Sequence, residues 1–401
     1  MQTAPLTPRR TLEFGIYRDG DNNLDAIQES VVAQAIDVSR RDPRIAFAVE
    51  DTSAVATGRL ATHDFDLAGG TVTHDRVRDA KEMSDPKTLA AFVARTLDEA
   101  EACGAQSTWI DLVDHGGGDG GGLQTSDGRI MPMPKIASAI AQGVALHARA
   151  HPEDAARRVD GVVANQCLMA SLGFENALSR AGVHYLAASP ETMVAPGVPT
   201  GVAEAIASHA SDPQAMARAI VARVMQTQYD AGPFGTFGPA AAFDVIDCDA
   251  RATYAAGVAI KRLNDALVAR AHDPAARAAM REDISSVAGM TRIPGREDLP
   301  WRADRPALAV YDRLADDARL DASVRADAKT AACNVRDLVL AHGESRAFAP
   351  FGGTDYRDAV GPTVHLPTAR REIDPWAPRM SETNNAFYRS VDGPALTHAL
   401  A

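Results

Sequence analysis

Two stretches decide how this chain folds: TWIDLVDHGGGDGGG, residues 108–122, and VDGVVANQCLMASLGFENAL, residues 159–178. In each, a short apolar run ends abruptly on polar chemistry. The first delivers Asp114-His115 into glycines interrupted only by Asp119; the second delivers Asn165-Gln166-Cys167. Apolar runs of this length, bounded by turn formers, read as strands buried on both faces. The second stretch passes at once into a helical pattern over 168–180. Working outward, strands are expected at 12–17, 44–50, 107–114, 159–164 and 185–189, alternating with helices at 24–39, 85–102 and 134–150. Strand and helix in alternation predict an α/β fold with a mostly parallel sheet flanked by helices. The segment GRLATHDFDLAGGTVTHD (58–75) breaks the rhythm: two alternating halves around Gly69-Gly70 read as a β-hairpin at the sheet edge. From about Pro213 the pattern becomes largely helical, over 213–230, 249–271, 274–289 and 305–342, with one strand at 240–246. The organisation expected is an α/β domain over 10–235, with a mainly helical region over 236–401 packed on it or completing it. Segments 291–304 and 343–360, rich in Gly, Pro and charge, read as loops.

Composition narrows the function classes. Lys plus Arg number 41 against 53 Asp plus Glu, a net charge of −12, so a nucleic-acid or anionic-lipid partner is not expected. No apolar stretch approaches the ~18 residues of a membrane span. The first residues carry Arg9-Arg10 but no apolar core of a signal peptide. The four cysteines, at 103, 167, 248 and 333, are widely separated, without metal-finger spacing. Reduced thiols and a cytoplasmic location follow as expectations.

The two strand ends carry the chemistry. Open α/β sheets place ligands beyond the carboxyl ends of their parallel strands. His115 and Cys167 are therefore expected to meet at one sheet edge despite their separation in sequence. A thiol beside an imidazole suits nucleophilic attack on a carbonyl, and N–H groups near Gly116 and Cys167 would hold the resulting oxyanion. If the helix begins at Cys167, its dipole would lower the thiol below the ordinary ~8.5.

Several motifs in order resemble the clostripain-type cysteine peptidases, relatives of caspases, gingipains and legumain. YRDGDNNLD (17–25) is similar to the family's opening strand and helix start, and MSDPKTLAAF (83–92) to the segment before the histidine strand. DHGGG (114–118) resembles its histidine motif and NQCLMAS (165–171) its cysteine motif. ASPET with Pro196-Gly197 (188–197) and GPTVHLP (361–367) resemble later strands and loops. The resemblance spans roughly residues 12–370. It implies a caspase-like fold, a catalytic His115 and Cys167 with the Gly116 amide in support, a protein or peptide substrate, and no cofactor. It also implies cleavage in the segment 125–158, with Lys135 or Arg157-Arg158 as candidate positions. At the position two before the cysteine, where the family commonly has an Asp that binds a basic P1 side chain, this chain has Asn165. P1 preference is thus left open, with Asn165 and Glu191 as substrate-binding candidates.

Other features read as structural. Asp19, Asp21, Asn23 and Asp25 alternate like a calcium loop, but Leu24 replaces the turn glycine and Ser30 the final glutamate. Asn22 or Asn23 is expected to cap the following helix. His147 and His151 stand i, i+4 and read as a solvated helix face. Cys103, Cys248 and Cys333 read as core or semi-buried. Two rival functions are compatible with the sequence: a catalytically silent peptide-binding scaffold on the same fold, and a nucleotide-binding enzyme using the glycine run, which lacks the GK[ST] ending of a phosphate loop.

Overall fold

Five apolar runs, each buried along almost its whole length, form the parallel centre of one nine-stranded sheet. The computed structural model describes residues 10–55, 58–194, 196–230, 236–290, 303–345, 359–368 and 385–400. The sheet's strands are β1 (Leu12–Asp19), β2 (Ile45–Ser53), β3 (Ala61–Ala68), β4 (Thr71–Asp79), β5 (Ser107–Val113), β6 (Gly161–Asn165), β7 (Tyr185–Ala188), β8 (Ala242–Asp247) and β9 (Val339–Glu344). Their order is β9-β8-β7-β6-β5-β1-β2-β3-β4. Strands β7, β6, β5, β1 and β2 run parallel, and the two strands beyond each side are antiparallel. The hairpin read around Gly69-Gly70 is β3–β4. Its outer strand is exposed at every position and carries charges of both signs, which protects an open edge from pairing with other chains.

Helices cover both faces. On one face α2 (Ser30–Arg41), α6 (Val202–His209) and α7 (Pro213–Gln226) pack on Phe14, Phe47, Trp109, Val163 and Val245. On the other lie α3 (Pro86–Cys103), α4 (Met133–Ala150), α5 (Leu172–Arg180), α8 (Ala250–Arg270), α9 (Pro274–Ser286), α10 (Ala307–Asp316) and α11 (Ala322–Leu338), over Ile110, Leu112, Val162 and Ala164. A short α1 (Asp25–Gln28) precedes α2, and α12 (Ala386–Ser390) and α13 (Gly393–Leu400) pack beside α8. Helix starts follow local chemistry. Asp85, Asp212 and Asp273 each cap an amide two or three residues on, directly before a Pro whose fixed φ suits the first turn.

Three expectations need correction. The helix after the cysteine begins at Leu172, capped by Ser171 Oγ on the Phe174 amide, so 168–171 is a loop and not its first turn. The run 305–342 is not one helix. It divides between α10 and α11, and its end extends into β9, which pairs antiparallel with β8; there sheet pairing overrides a helical pattern. Neither Asn22 nor Asn23 caps α1. Helix α6, which the pattern did not suggest, sits between loop 196–200 and α7. Most of 291–304 and 343–360 lies outside the described residues. Among the described residues no helix is long and apolar enough to cross a membrane.

Candidate active site

Register between β5 and β6 sets the site. Val113 pairs with Asn165 in the parallel ladder, and the Asp114 amide donates to the Asn165 carbonyl at 3.3 Å. His115 and Cys167 each stand two residues past that last pair, so the two strands release them side by side at the same edge. Gly116 closes the gap. A Cβ at this position would lie 2.3 Å from the Cys167 carbonyl oxygen and 3.0 Å from its nitrogen, an approach only glycine allows. The two motifs are therefore packed backbone to backbone. The amides of Gly116 and Cys167 have no oxygen acceptor among the described residues.

His115 is half-buried and its Nε2 lies 2.8 Å from Asn23 Oδ1. With Asn23 as acceptor, Nε2 carries the proton and Nδ1 keeps the lone pair. Burial lowers the imidazole below its ordinary value, so it rests neutral at pH 7. The neighbouring Asn22 anchors the same loop, donating to Asp114 Oδ1 at 2.7 Å and to the Gln124 carbonyl at 2.8 Å. Asp114 is buried and accepts from the Gln124 amide, and burial with Asp19 nearby raises it well above the usual carboxylate range. The segment 19–23 thus holds the histidine loop. Asp21 accepts from Ser126 at 2.9 Å, and Asp25 pairs with the buried Arg18 at 3.1 Å.

The Cys167 thiol contradicts the expectation of a lowered pKa. Burial pushes it up to about 11, with Glu191 and Asp114 adding to the rise, while the Met193 amide, 3.2 Å from Sγ, opposes it. The helix N-terminus that would have lowered it lies five residues on. Thiol and imidazole therefore rest as a neutral pair. Leu168, the next residue, has φ of 68°, a left-handed conformation costly for a branched side chain. It is held there by its amide donating to the Glu191 carbonyl at 3.1 Å.

The two substrate-binding candidates fall in different places from an open pocket wall. Asn165 is 2% exposed, and its amide clamps one residue of the next loop: Val198 N donates to Oδ1 at 2.7 Å, and Nδ2 donates to Val198 O at 3.2 Å. Gly197 beside it has φ of 85°, with no room for a Cβ against Asn165 Oδ1. Glu191 is fully buried, and its carboxylate accepts from the Thr192 amide at 2.8 Å. Two further residues at the site carry no motif signal of their own. Asn23 orients the imidazole, and only its place in the DGDNN run hinted at that. Asp111 lies two residues below Val113 on β5, fully buried, with the Asn165 side-chain amide facing its carboxylate. Burial raises it well above its ordinary value.

Other thiols and basic residues sort by position. Cys248 is buried and Cys103 half-buried beside Glu13, but Cys333 is exposed, against expectation. Lys135 lies in the first turn of α4, and Arg157 donates to the Ala105 carbonyl at 2.9 Å and pairs with Asp154.

No family model matches the sequence, and no curated protein matches it. Solved structures do match. A secreted C11 cysteine protease from Bacteroides thetaiotaomicron, in complex with an irreversible peptide inhibitor, aligns with a TM-score of 0.65 and 15% identity, over 96% of this chain and 99% of that one. An inactive zymogen C11 protease from Parabacteroides distasonis aligns with a TM-score of 0.63 and 14% identity, over 97% and 99%. The chain has the fold of the C11, or clostripain-family, cysteine proteases. The caspase-like sheet expected from the two strand-end motifs is therefore present. At this identity the likeness speaks for the fold alone.

Proposed function

We propose that this chain is a cysteine endopeptidase with Cys167 as nucleophile and His115 as general base and acid. The observation that carries the reading is the Val113–Asn165 register with Gly116 pressed on the Cys167 backbone, which brings a thiol, an imidazole and two amides without an oxygen acceptor among the described residues to one edge. As substrate binds, the Cys167 thiol passes its proton to His115 while sulfur forms a bond to the scissile carbonyl carbon. The oxyanion is received by the Gly116 and Cys167 N–H groups. Collapse breaks the C–N bond as His115 returns its proton to the leaving amine. The same imidazole then deprotonates a water that attacks the thioester, releasing the acid and restoring the thiol. Because both groups rest neutral, activation is by general base catalysis during attack and not by a preformed thiolate.

In this reading Asn23 holds the imidazole tautomer, and Asn165 positions loop 196–200. Glu191 holds Leu168 through its backbone carbonyl. Peptide or protein substrates follow from the reaction, with P1 selection set by the loop that Asn165 clamps. The test is turnover of a diverse peptide library beside labelling by a carbonyl-directed irreversible peptide inhibitor. Mass analysis should place the label on Cys167. A silent binding scaffold would bind peptide without labelling or cleavage, and that outcome would overturn the reading.

A further inference from the structure

The end of the sheet opposite the cysteine carries a second histidine cluster. His147 and His151, one turn apart at the end of α4, read from sequence as a solvated face. Instead His147 is fully buried against α3, its ring 4.9 Å from that of His151. Asp98 and Glu101 come from the last turns of α3, and Asp154 from the turn after α4. Asp98 Oδ1 lies 2.7 Å from His147 Nδ1 and 3.4 Å from His151 Nε2. The other nitrogen of each ring also faces a carboxylate: His151 Nδ1 is 2.6 Å from Glu101 Oε2, and His147 Nε2 is 3.4 Å from Asp154 Oδ2.

We propose that Asp98, His147 and His151 bind a zinc ion, with Glu101 and Asp154 holding the two imidazoles from behind. Protons alone serve this arrangement poorly. If His147 donates from Nδ1 to Asp98 as a neutral ring, its buried Nε2 offers a lone pair to a carboxylate oxygen; that nitrogen has no hydrogen-bond partner. Satisfying all four contacts with protons needs two imidazolium rings against one another. A divalent cation resolves both problems. It replaces the protons on the nitrogens facing Asp98, and each neutral ring then donates its remaining N–H to Glu101 or Asp154, the carboxylate–histidine–metal relation that fixes metal-binding imidazoles.

The donor set selects the metal. Two imidazoles and one carboxylate suit zinc, whereas calcium and magnesium take oxygen donors. With bonds of about 2.0–2.1 Å, tetrahedral ligand atoms stand roughly 3.3 Å apart, so the His151–Asp98 spacing already fits and the His147–Asp98 pair opens by about half an ångström. Asp98 and His151 remain partly exposed, at 42% and 32%, leaving a face for entry and for a water as fourth ligand. The ion would tie the end of α3 to the end of α4 and, through Asp154 and Arg157, to the turn that leads into β6. This site makes no use of the proposed peptidase chemistry.

The experiment uses the full chain with Cys167→Ala, so that zinc cannot engage the thiol. After chelation and dialysis, zinc is titrated by calorimetry and bound metal counted by mass spectrometry. One equivalent is expected, with a rise in Tm that calcium and magnesium at the same concentration do not produce. His151→Ala and Asp98→Asn, both at partly exposed positions, should lose the equivalent, and Glu101→Gln should weaken it about 10- to 100-fold. Cobalt in place of zinc should show visible bands without a thiolate charge-transfer band. Absence of stoichiometric zinc in the parent, or an undiminished equivalent in folded His151→Ala and Asp98→Asn, would overturn the proposal.

Discussion

The two ends of the central sheet treat histidine in opposite ways. At the carboxyl end of β5, His115 faces the neutral amide of Asn23, and burial lowers its pKa. At the far end, His147 and His151 are ringed by Asp98, Glu101, Glu153 and Asp154. One environment keeps an imidazole neutral and able to take a proton; the other calls for positive charge. A histidine's chemistry is thus set by its partners, and those are fixed by which helix ends and strand ends the topology brings together.

The sharpest way to break this comparison is to remove the proposed nucleophile. Cys167→Ala should reduce peptide cleavage below detection, whereas Cys103→Ser and Cys333→Ser should stay within a few-fold of the parent. Loss of activity in a folded Cys103→Ser or Cys333→Ser protein, with Cys167→Ala active, would move the chemistry elsewhere. His115→Ala should lower kcat by about 10²–10⁴-fold. His147→Ala, 32 residues on in sequence but at the other end of the sheet, should act through stability alone and leave kcat of the folded fraction near the parent value.

The pH profile tests the same contrast. In the proposed reaction His115 must be neutral to accept the thiol proton, and its pKa is shifted down from 6.5. The rising limb of kcat/KM should therefore lie below pH 6.5 and be followed by a plateau across neutral pH, since the thiol itself titrates only at about 11. A limb centred near 8.5 would mean that an ordinary thiolate, not the imidazole, controls the rate. Asn23→Ala should lower kcat about tenfold while leaving KM unchanged, because it frees the ring without touching substrate contacts. An equal loss in Asn23→Asp and Asn23→Ala with raised KM would assign Asn23 to binding instead.

What the sequence disclosed follows the range of the forces involved. Strands β1, β2, β5, β6 and β7 were legible because continuous apolar runs between turn formers have few other solutions, and their parallel order put His115 and Cys167 at one edge. The thiol's environment was not legible. Where α5 begins depends on Ser171 reaching the Phe174 amide and on Leu168 accepting a left-handed turn held by Glu191, contacts that no periodicity encodes. The first part of β9, residues 339–342, reads as helix because Val339, Leu340 and Ala341 continue an apolar helical pattern, and its end, 343–344, reads as loop; only pairing with β8 decides otherwise. The burial of His147 is hidden for a related reason: i, i+4 spacing shows which residues share a face, but not that α3 covers that face.

The smallest effect concerns Asn165, and it separates a clamp from a pocket wall. In the clamp, Asn165 both accepts from and donates to the backbone of Val198, and a carboxylate can only accept. Asn165→Asp would leave the Val198 carbonyl facing negative charge in a buried site. It would also add a second acid diagonal to Asp111 on the neighbouring strand, within reach across the sheet face. An unsatisfied buried acceptor costs about 1–3 kcal/mol, so Tm should fall by several degrees, with cleavage of Arg and Leu substrates reduced together as loop 196–200 loosens. If Asn165 instead lines the pocket, the same change leaves Tm in place and sharpens the preference for Arg, because a guanidinium gains two charged oxygens where Asn offers one neutral carbonyl. Tm and the Arg/Leu ratio of kcat/KM, measured on the same preparation, therefore move in opposite combinations under the two roles, and a fall in Tm with an unchanged ratio identifies the clamp.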